Sequence, residues 1–311
     1  MSYSSDCKNS LCGVQNLRSC CVLTELSALF ETMGSLSLLG RGQVSVSFTG
    51  YHLGVCRRVY SLLNSHLGMK PQLHYLDDSH FGGRRKCVLT LGPVLSPRFL
   101  QLMGMARVEE GGLKIVASAP HITFTRLCCM KSYLRGIFLG GGTVTAPQHG
   151  YHLELPIFSP LSQDHIAKSL QRLGVTIHLS SRGESRFFLI STSEGVSGLL
   201  TAMGCGSEVI ALENVRLGRE IMARTTRMVN CDNANARKTA AAADAALRGI
   251  ALLRESGRLD ALPAELREIA LLRLQNPGAT LTELGEMLVP PKSKATVLRR
   301  LRQVVQAAEG K

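Results

Sequence analysis

Three sets of residues in this chain could do chemistry beyond folding: ten cysteines, nine histidines and a run of cations near the C-terminal end. Thiols can hold a soft metal, but zinc-ribbon and redox sites are written as Cys-x-x-Cys, and that spacing occurs nowhere in the chain. Two pairs are adjacent instead, Cys20-Cys21 and Cys128-Cys129. Small apolar side chains at the starts of helices account for them, so the ten thiols are expected to be reduced and unliganded, with no metal and no cofactor. The histidines offer only His149-x-x-His152, across a turn into a strand. The cations are the stronger signal. Residues 289–311 carry Lys292, Lys294, Arg299, Arg300, Arg302 and Lys311 against Glu309 alone, a net +5, which suits a polyanionic partner.

The chain that must position these groups has 311 residues, 45% hydrophobic and 19% charged, with a net charge of +13. That length suits about two domains. The apolar content excludes a disordered chain, which cannot bury a core. No stretch of about 18 uninterrupted apolar residues is present, which argues against a membrane span. Residues 1–6 lack the basic region and apolar run of a secretory signal, so a cytoplasmic location is expected.

The first two-thirds contain an internal repeat. Arg18-Ser19-Cys20-Cys21 and Arg126-Leu127-Cys128-Cys129 each open a helical stretch, and at an offset of 108 Leu26/Leu134, Phe30/Phe138 and Gly34/Gly142 coincide. Small residues coincide at Ala28/Gly136 and Thr32/Gly140, a four-residue spacing that makes a flat helix face on which two such helices can approach closely. After the first helix, Gln43 to Thr49 alternates as a half-buried strand, and Tyr151 to Leu155 does so in the second copy. Helices over Val55–Leu67 and Gln163–Leu173 follow, each ending at Leu-Gly. Two strands come next, Gln72–Asp77 with Arg85–Leu91, matched by Thr176–Ser180 with Arg186–Thr192; a short helix ending in Met-Gly closes each copy. Each half therefore reads α-β-β-α-β-β-α, over about residues 15–104 and 123–204.

This duplicated architecture resembles the single-chain LAGLIDADG homing endonucleases, in which each signature helix presents a metal-binding acid just before its terminal glycine. The corresponding residues here are Met33 and Gly141, and neither can ligate a hard cation. Glu31 lies nearby, but its counterpart is Leu139. The paired-acid chemistry of a nuclease is absent, and no enzymatic activity is expected. The polar strand face offers Gln43, Ser45, Ser47, Gln72, His74, Glu154, Thr176 and His178, largely uncharged where phosphate tracking needs Lys and Arg. Arg84-Arg85-Lys86 and Arg57-Arg58 are local basic clusters. Weak DNA contact, protein interaction and an ordinary solvated face all fit.

The last third turns to helix formers. Val229 to Asn235 reads as a polar interruption rich in capping residues, with one helix from Ala236 to Ser256 closed by Gly257. Pro263 opens a helix with the stripe Leu266, Ile269, Ala270 and Leu274, broken at Asn276-Pro277-Gly278. Thr280 and Glu283 form a capping box on a short helix through Leu288. Val289-Pro290-Pro291-Lys292 turns the chain, and Ser293 caps a final helix, Lys294 to Ala307, whose core stripe is Val297, Leu301 and Val304. Lys294, Arg299, Arg300 and Arg302 fall mostly off that stripe, with Thr296 on the polar side. A short helix, a turn and a basic helix form the helix-turn-helix pattern, whose second helix enters the major groove. The alternative is a helical dimerisation bundle.

The expected architecture is α+β: a degenerate LAGLIDADG-like domain over 1–212, a helical linker over 213–257 and an all-α helix-turn-helix domain over 258–311. The expected DNA-facing residues are Thr280, Ser293, Lys294, Thr296, Arg299, Arg300 and Arg302, with the two arginines at 299 and 300 best suited to guanine or phosphate. Cys20-Cys21, Cys128-Cys129 with Leu134-Arg135-Gly136, the string Val229 to Asn235, and Leu284-Gly285-Glu286-Met287-Leu288 running through Pro290-Pro291 to Ser293-Lys294 together resemble the WhiA family of bacterial regulators. The resemblance implies a nucleoid-associated protein that binds double-stranded DNA and serves cell division, chromosome segregation and, in spore-forming actinobacteria, transcription of sporulation genes. The family's recognition helix usually has Gly, Asn and His where this chain has Thr296, Leu298 and Arg299. Two alternatives stand beside it: a protein-binding scaffold acting with RNA polymerase, a sigma factor or another regulator, and an active endonuclease.

Overall fold

The computed structural model describes residues 2–15, 17–78, 84–110, 112–117, 120 and 124–310. They fall into two units, Met1–Arg219 and Glu220–Lys311.

The first unit is built on the repeat. Its first copy runs α2 (Ser19–Met33), β1 (Gly34–Gly40), β2 (Gln43–Gly50), α3 (Leu53–Ser61, prolonged by a π turn at Leu62–His66), β3 (Gln72–Asp78), β4 (Arg84–Leu91) and α4 (Ser96–Leu102). The second runs α5 (Leu127–Gly141), β7 (Thr143–Val144), β8 (Leu153–Ile157), α6 (Pro160–Arg172), β9 (His178–Arg182), β10 (Ser185–Ile190) and α7 (Ser193–Met203). Each copy folds a four-stranded antiparallel sheet of the same order, β1-β2-β4-β3 and β7-β8-β10-β9. Outside the repeat pattern lie α1 (Tyr3–Cys12), which buries Cys7 and Leu11, and a hairpin of β5 (Ala106–Glu109) and β6 (Gly112–Ile115) between the copies.

The small-residue face of α2 and α5 does what its spacing predicts. A Cβ placed on Gly136 would stand 2.6 Å from the Ala28 Cβ and 2.7 Å from the Glu25 carbonyl oxygen, and one on Gly140 would stand 1.7 Å from Thr32 Oγ1. The two helices touch nearly backbone to backbone, and only glycine fits. Beside that contact lies a buried ion network. Glu25, fully buried on α2, accepts from Arg58 Nε of α3 at 2.8 Å and from Arg135 Nη2 of α5 at 2.8 Å. The surplus positive charge is met by carbonyls: Arg135 donates to Met203 at 2.7 Å, and Arg58 donates to Cys12 and Val14. The repeat is asymmetric here, because the counterpart of Glu25 is Tyr133 and that of Arg135 is Ser27.

In the chain beyond, the structure corrects the polar interruption expected at Val229–Asn235. It lies within a single helix, α8, Ser207–Glu255. No glycine or proline occurs between residues 218 and 249 to end the helix. Each mid-helix Asn or Asp costs only about half a kcal/mol, less than opening two new termini. The polar side chains bond along the helix instead: Thr239 Oγ1 donates to the Asn235 carbonyl at 2.9 Å, and the Asn235 amide donates to Cys231 Sγ at 3.7 Å. The expected boundary at residue 212 therefore falls inside α8, where Leu212 belongs to the core of the first unit, while Ala246, Ile250 and Leu253 belong to that of the second. The second unit is completed by α9 (Ala264–Gln275), α10 (Leu281–Glu286) and α11 (Lys294–Ala308). No helix among the described residues is long and apolar enough to cross a membrane.

Candidate nucleic-acid interface

The second unit packs Ile269 and Ala270 of α9, Leu284 and Leu288 of the α10 region, and Val297, Leu301 and Val304 of α11 into one core. Its turns are fixed by named bonds. Arg273, buried on α9, donates to the carbonyls of Pro277 at 3.3 Å and Ala279 at 2.7 Å, holding the loop that leads into α10. Thr280 then starts α10 with the predicted capping box: its hydroxyl accepts from Glu283 N, and its own N–H donates to Glu283 Oε2 at 2.7 Å. That donated bond holds the Glu283 carboxyl below the usual range. The turn from α10 to α11 folds back so closely that Lys292 N donates to the Gly285 carbonyl at 2.9 Å. A Cβ at Gly285 would lie 2.2 Å from the Lys292 oxygen.

Ser293 caps α11 as predicted, accepting from Thr296 N, and its hydroxyl meets the Thr296 hydroxyl at 3.0 Å. Beyond the cap, Lys294, Arg299 and Arg302 are exposed, and neither arginine has an ion-pair partner among the described residues. Arg300 is the exception among the expected contacts. It is buried and ion-paired to Glu265, an exposed residue of α9, so its guanidinium is committed to that pair rather than free for DNA. The reason is register: Val297, Arg300, Leu301 and Val304 share the core stripe, at spacings of three and four. The exposed face of α11 carries residues beyond the expected DNA contacts. Ala295, Leu298, Gln303 and Gln306 line a shallow groove together with Arg299 and Arg302. The positions 295, 299, 302 and 306 recur at helical spacing, which is the signal that could have found them. Gln can pair bidentately with adenine and Arg with guanine, so this face has the donors and acceptors of a base-reading surface.

In the first unit, the residues at the nuclease-acid positions lack oxygen ligands. Met33 is half-buried, and a Cβ on Gly141 would lie 2.8 Å from Pro156 Cγ. Glu31 accepts from the Tyr133 hydroxyl at 2.9 Å, and burial pushes its carboxyl up to about 7 against the opposing pull of that bond. Burial and the neighbouring carboxylate push the Tyr133 hydroxyl upward as well. On the outward face of the first sheet, Ser35 pairs with Ser47, Ser37 with Ser45, and Gln72 with Thr90. Lys86 is a cation on the same strand, while the side chain of Arg84 lies outside the described residues. His178 and Glu154 occupy the corresponding face of the second sheet, where Arg182 ion-pairs with Glu154 at 3.0 Å; Thr176 precedes β9. Read along the chain, the two adjacent pairs are far apart; in the fold, Cys20, Cys21, Cys128 and Cys129 bring their sulfurs within 4.8 Å of one another.

Comparison with known proteins covers both units. Residues 19–91 match the WhiA N-terminal LAGLIDADG-like domain, 130–222 the WhiA LAGLIDADG-like domain, and 225–308 the WhiA C-terminal HTH domain. The chain is 35% identical to the probable cell division protein WhiA of Heliobacterium modesticaldum, over 99% of this chain and 96% of that one. It is 32% identical to the protein of that name in Desulfitobacterium hafniense, again over 99% and 96%. Among solved structures, full-length DUF199/WhiA from Thermatoga maritima shares the fold with a TM-score of 0.61 at 24% identity, covering 99% of this chain and 98% of that one.

Proposed function

The chain belongs to the WhiA family, and from that membership we propose that it is a DNA-binding regulator of cell division whose α10–α11 element docks on double-stranded DNA. The observation that carries this is the exposed face of α11: Lys294, Arg299 and Arg302 stand clear of the core beside Gln303 and Gln306, on a helix whose start is fixed by Ser293. Ser293 and Lys294 sit at the start of α11, whose first turn holds no acidic residue and favours phosphate, with Thr296 one turn on and Thr280 at the start of α10. Domain 258–311 in this proposal carries the DNA. Transcription regulation, chromosome segregation and, in a spore-forming host, sporulation are the processes it would serve, at the nucleoid.

The LAGLIDADG-like unit is, in the same proposal, a scaffold that cuts nothing. Met33 and Gly141 supply no carboxylate, and the proline against Gly141 crowds the place where one would project. The Ser- and Thr-rich outward face of the first sheet favours a protein partner over phosphate, which supports a second contact with RNA polymerase, a sigma factor or another regulator.

Titrating DNA with Arg299→Ala, Arg302→Ala and Arg300→Ala over a salt series tests the docking face. Removing a base-reading arginine should cost about 1–3 kcal/mol and relax one position of the site, while removing a phosphate-binding one should lower the salt slope by about one. Arg300→Ala should leave the salt slope of the folded protein unchanged. The opposite ranking would place the interface on another face.

A further inference from the structure

We propose that Cys20, Cys21, Cys128 and Cys129 form a tetrathiolate site for one zinc ion, clamping together the N-terminal ends of the two signature helices. The first support is geometric. The four sulfurs lie within 4.8 Å of one another, and the two within each adjacent pair are 4.0 Å apart. With zinc–sulfur bonds of about 2.3 Å, the sulfurs of a tetrahedral site stand about 3.8 Å apart, so four thiolates already at this spacing close on a single ion with small side-chain rotations. An iron–sulfur cluster interposes its own iron and sulfide between the thiolates and holds them farther apart.

The second support comes from the helices. The pairs occupy the second and third positions of α2 and α5, whose preceding residues, Arg18 and Arg126, provide no side-chain cap, and neither first turn holds an acidic residue. By contrast α1, α6, α7, α10 and α11 each start on a Ser or Thr side chain that accepts a backbone N–H. Two uncapped, positive helix ends therefore converge on the four sulfurs. Zinc joins them by displacing four thiol protons, leaving a complex of net charge −2, the sign that two helix N-termini and the flanking arginines favour. Access is graded: Cys21 and Cys129 are buried, and Cys20 and Cys128 are half-buried, which leaves the ion a way in.

The site joins the two copies of the repeat at one end of the α2–α5 contact, beyond Gly136 and Gly140. Its loss should loosen the pairing of the copies, whereas loss of the lone exposed Cys231 should change nothing.

The test is metal analysis of the full chain purified under reducing conditions, with cobalt substitution as the second readout. We expect one zinc per chain, lost in Cys20→Ser and in Cys129→Ser and retained in Cys231→Ser. Removing it should lower the Tm by at least about 5 °C. Cobalt added to the metal-free wild type should give thiolate-to-cobalt charge transfer and the visible bands of a tetrahedral sulfur site. That spectrum decides the matter even where a serine variant fails to fold. Folded wild-type protein without stoichiometric metal and without the cobalt spectrum would overturn the proposal. So would a Cys20–Cys129 disulfide in the freshly purified chain, or inorganic sulfide bound with iron.

Discussion

Glu25 shows how far one side chain can hold two repeats together. It is fully buried between Arg58 and Arg135, contributed by different copies, and the carbonyl partners of the arginines complete the network. Removing the carboxylate leaves two buried cations facing each other, which costs more than the pair gains by existing. Glu25→Gln should therefore destabilise the first unit by about 3–5 kcal/mol, seen as a lower urea midpoint. Glu31 behaves differently. Burial raises its carboxyl to about 7, above the ordinary 4.5, so the folded state prefers it protonated. Its contribution to stability is complete below pH 4.5 and is lost as the pH rises through about 7. The span corresponds to a penalty on the order of 3–4 kcal/mol at higher pH. Glu31→Gln should raise the Tm at pH 8 and leave it nearly unchanged at pH 4; an equal shift at both would exclude this origin. Arg300 carries the lesson about reading residue type before register. Its place between Val297 and Leu301 put it on the core stripe, yet its charge suggested the surface; Glu265, 35 residues away, is what makes the buried position tolerable.

At the scale of elements, α2 and α5 were legible because their information is local and repeated: Ala28/Gly136 and Thr32/Gly140 recur at helical spacing, and those are the residues at the close contact. Gly136→Ala should destabilise by about 1–3 kcal/mol, since the new methyl meets the Glu25 carbonyl and the Ala28 Cβ, both fixed by the backbone of α2. A melt unchanged by that substitution would mean the helices can part without cost. The α10–α11 turn makes a similar demand, because a methyl at Gly285 collides with a backbone oxygen. Gly285→Ala should lower the stability of the second unit and weaken DNA binding together, whereas Arg299→Ala should weaken binding alone; thermal melts beside the titrations separate them. The caps at Thr280 and Ser293 could be read from the sequence, as each is set by a few neighbours. The continuity of α8 could not. Asn and Asp between 230 and 235 favour caps only where the chain bends, and the alanines that follow keep it helical. The thiol cluster stayed hidden for the opposite reason: its spacing exists only across the repeat, between residues 108 apart.

The whole molecule joins a duplicated α+β unit with a helical unit, and the proposed division of labour follows the charge. Phosphate binding needs free cations, and Lys294, Arg299 and Arg302 of α11 supply them, while the outward face of the first sheet is mostly hydroxyls. The first unit should be silent as a nuclease: with magnesium or manganese, plasmid DNA should remain supercoiled, and metal-dependent, site-specific nicking by pure protein would contradict the assignment of Met33 and Gly141. If the α11 tip supplies most of the DNA affinity, a salt-series titration of the full chain against one lacking residues 289–311 will show it. Helicity and melting of the first unit, followed in parallel, show whether the shortened chain keeps its fold. The shortened chain should lose most of its affinity, and its dependence of log K on log salt should flatten by several phosphate contacts. Unchanged affinity and salt slope in a shortened chain that remains folded would contradict it and move the DNA to the sheets of the first unit.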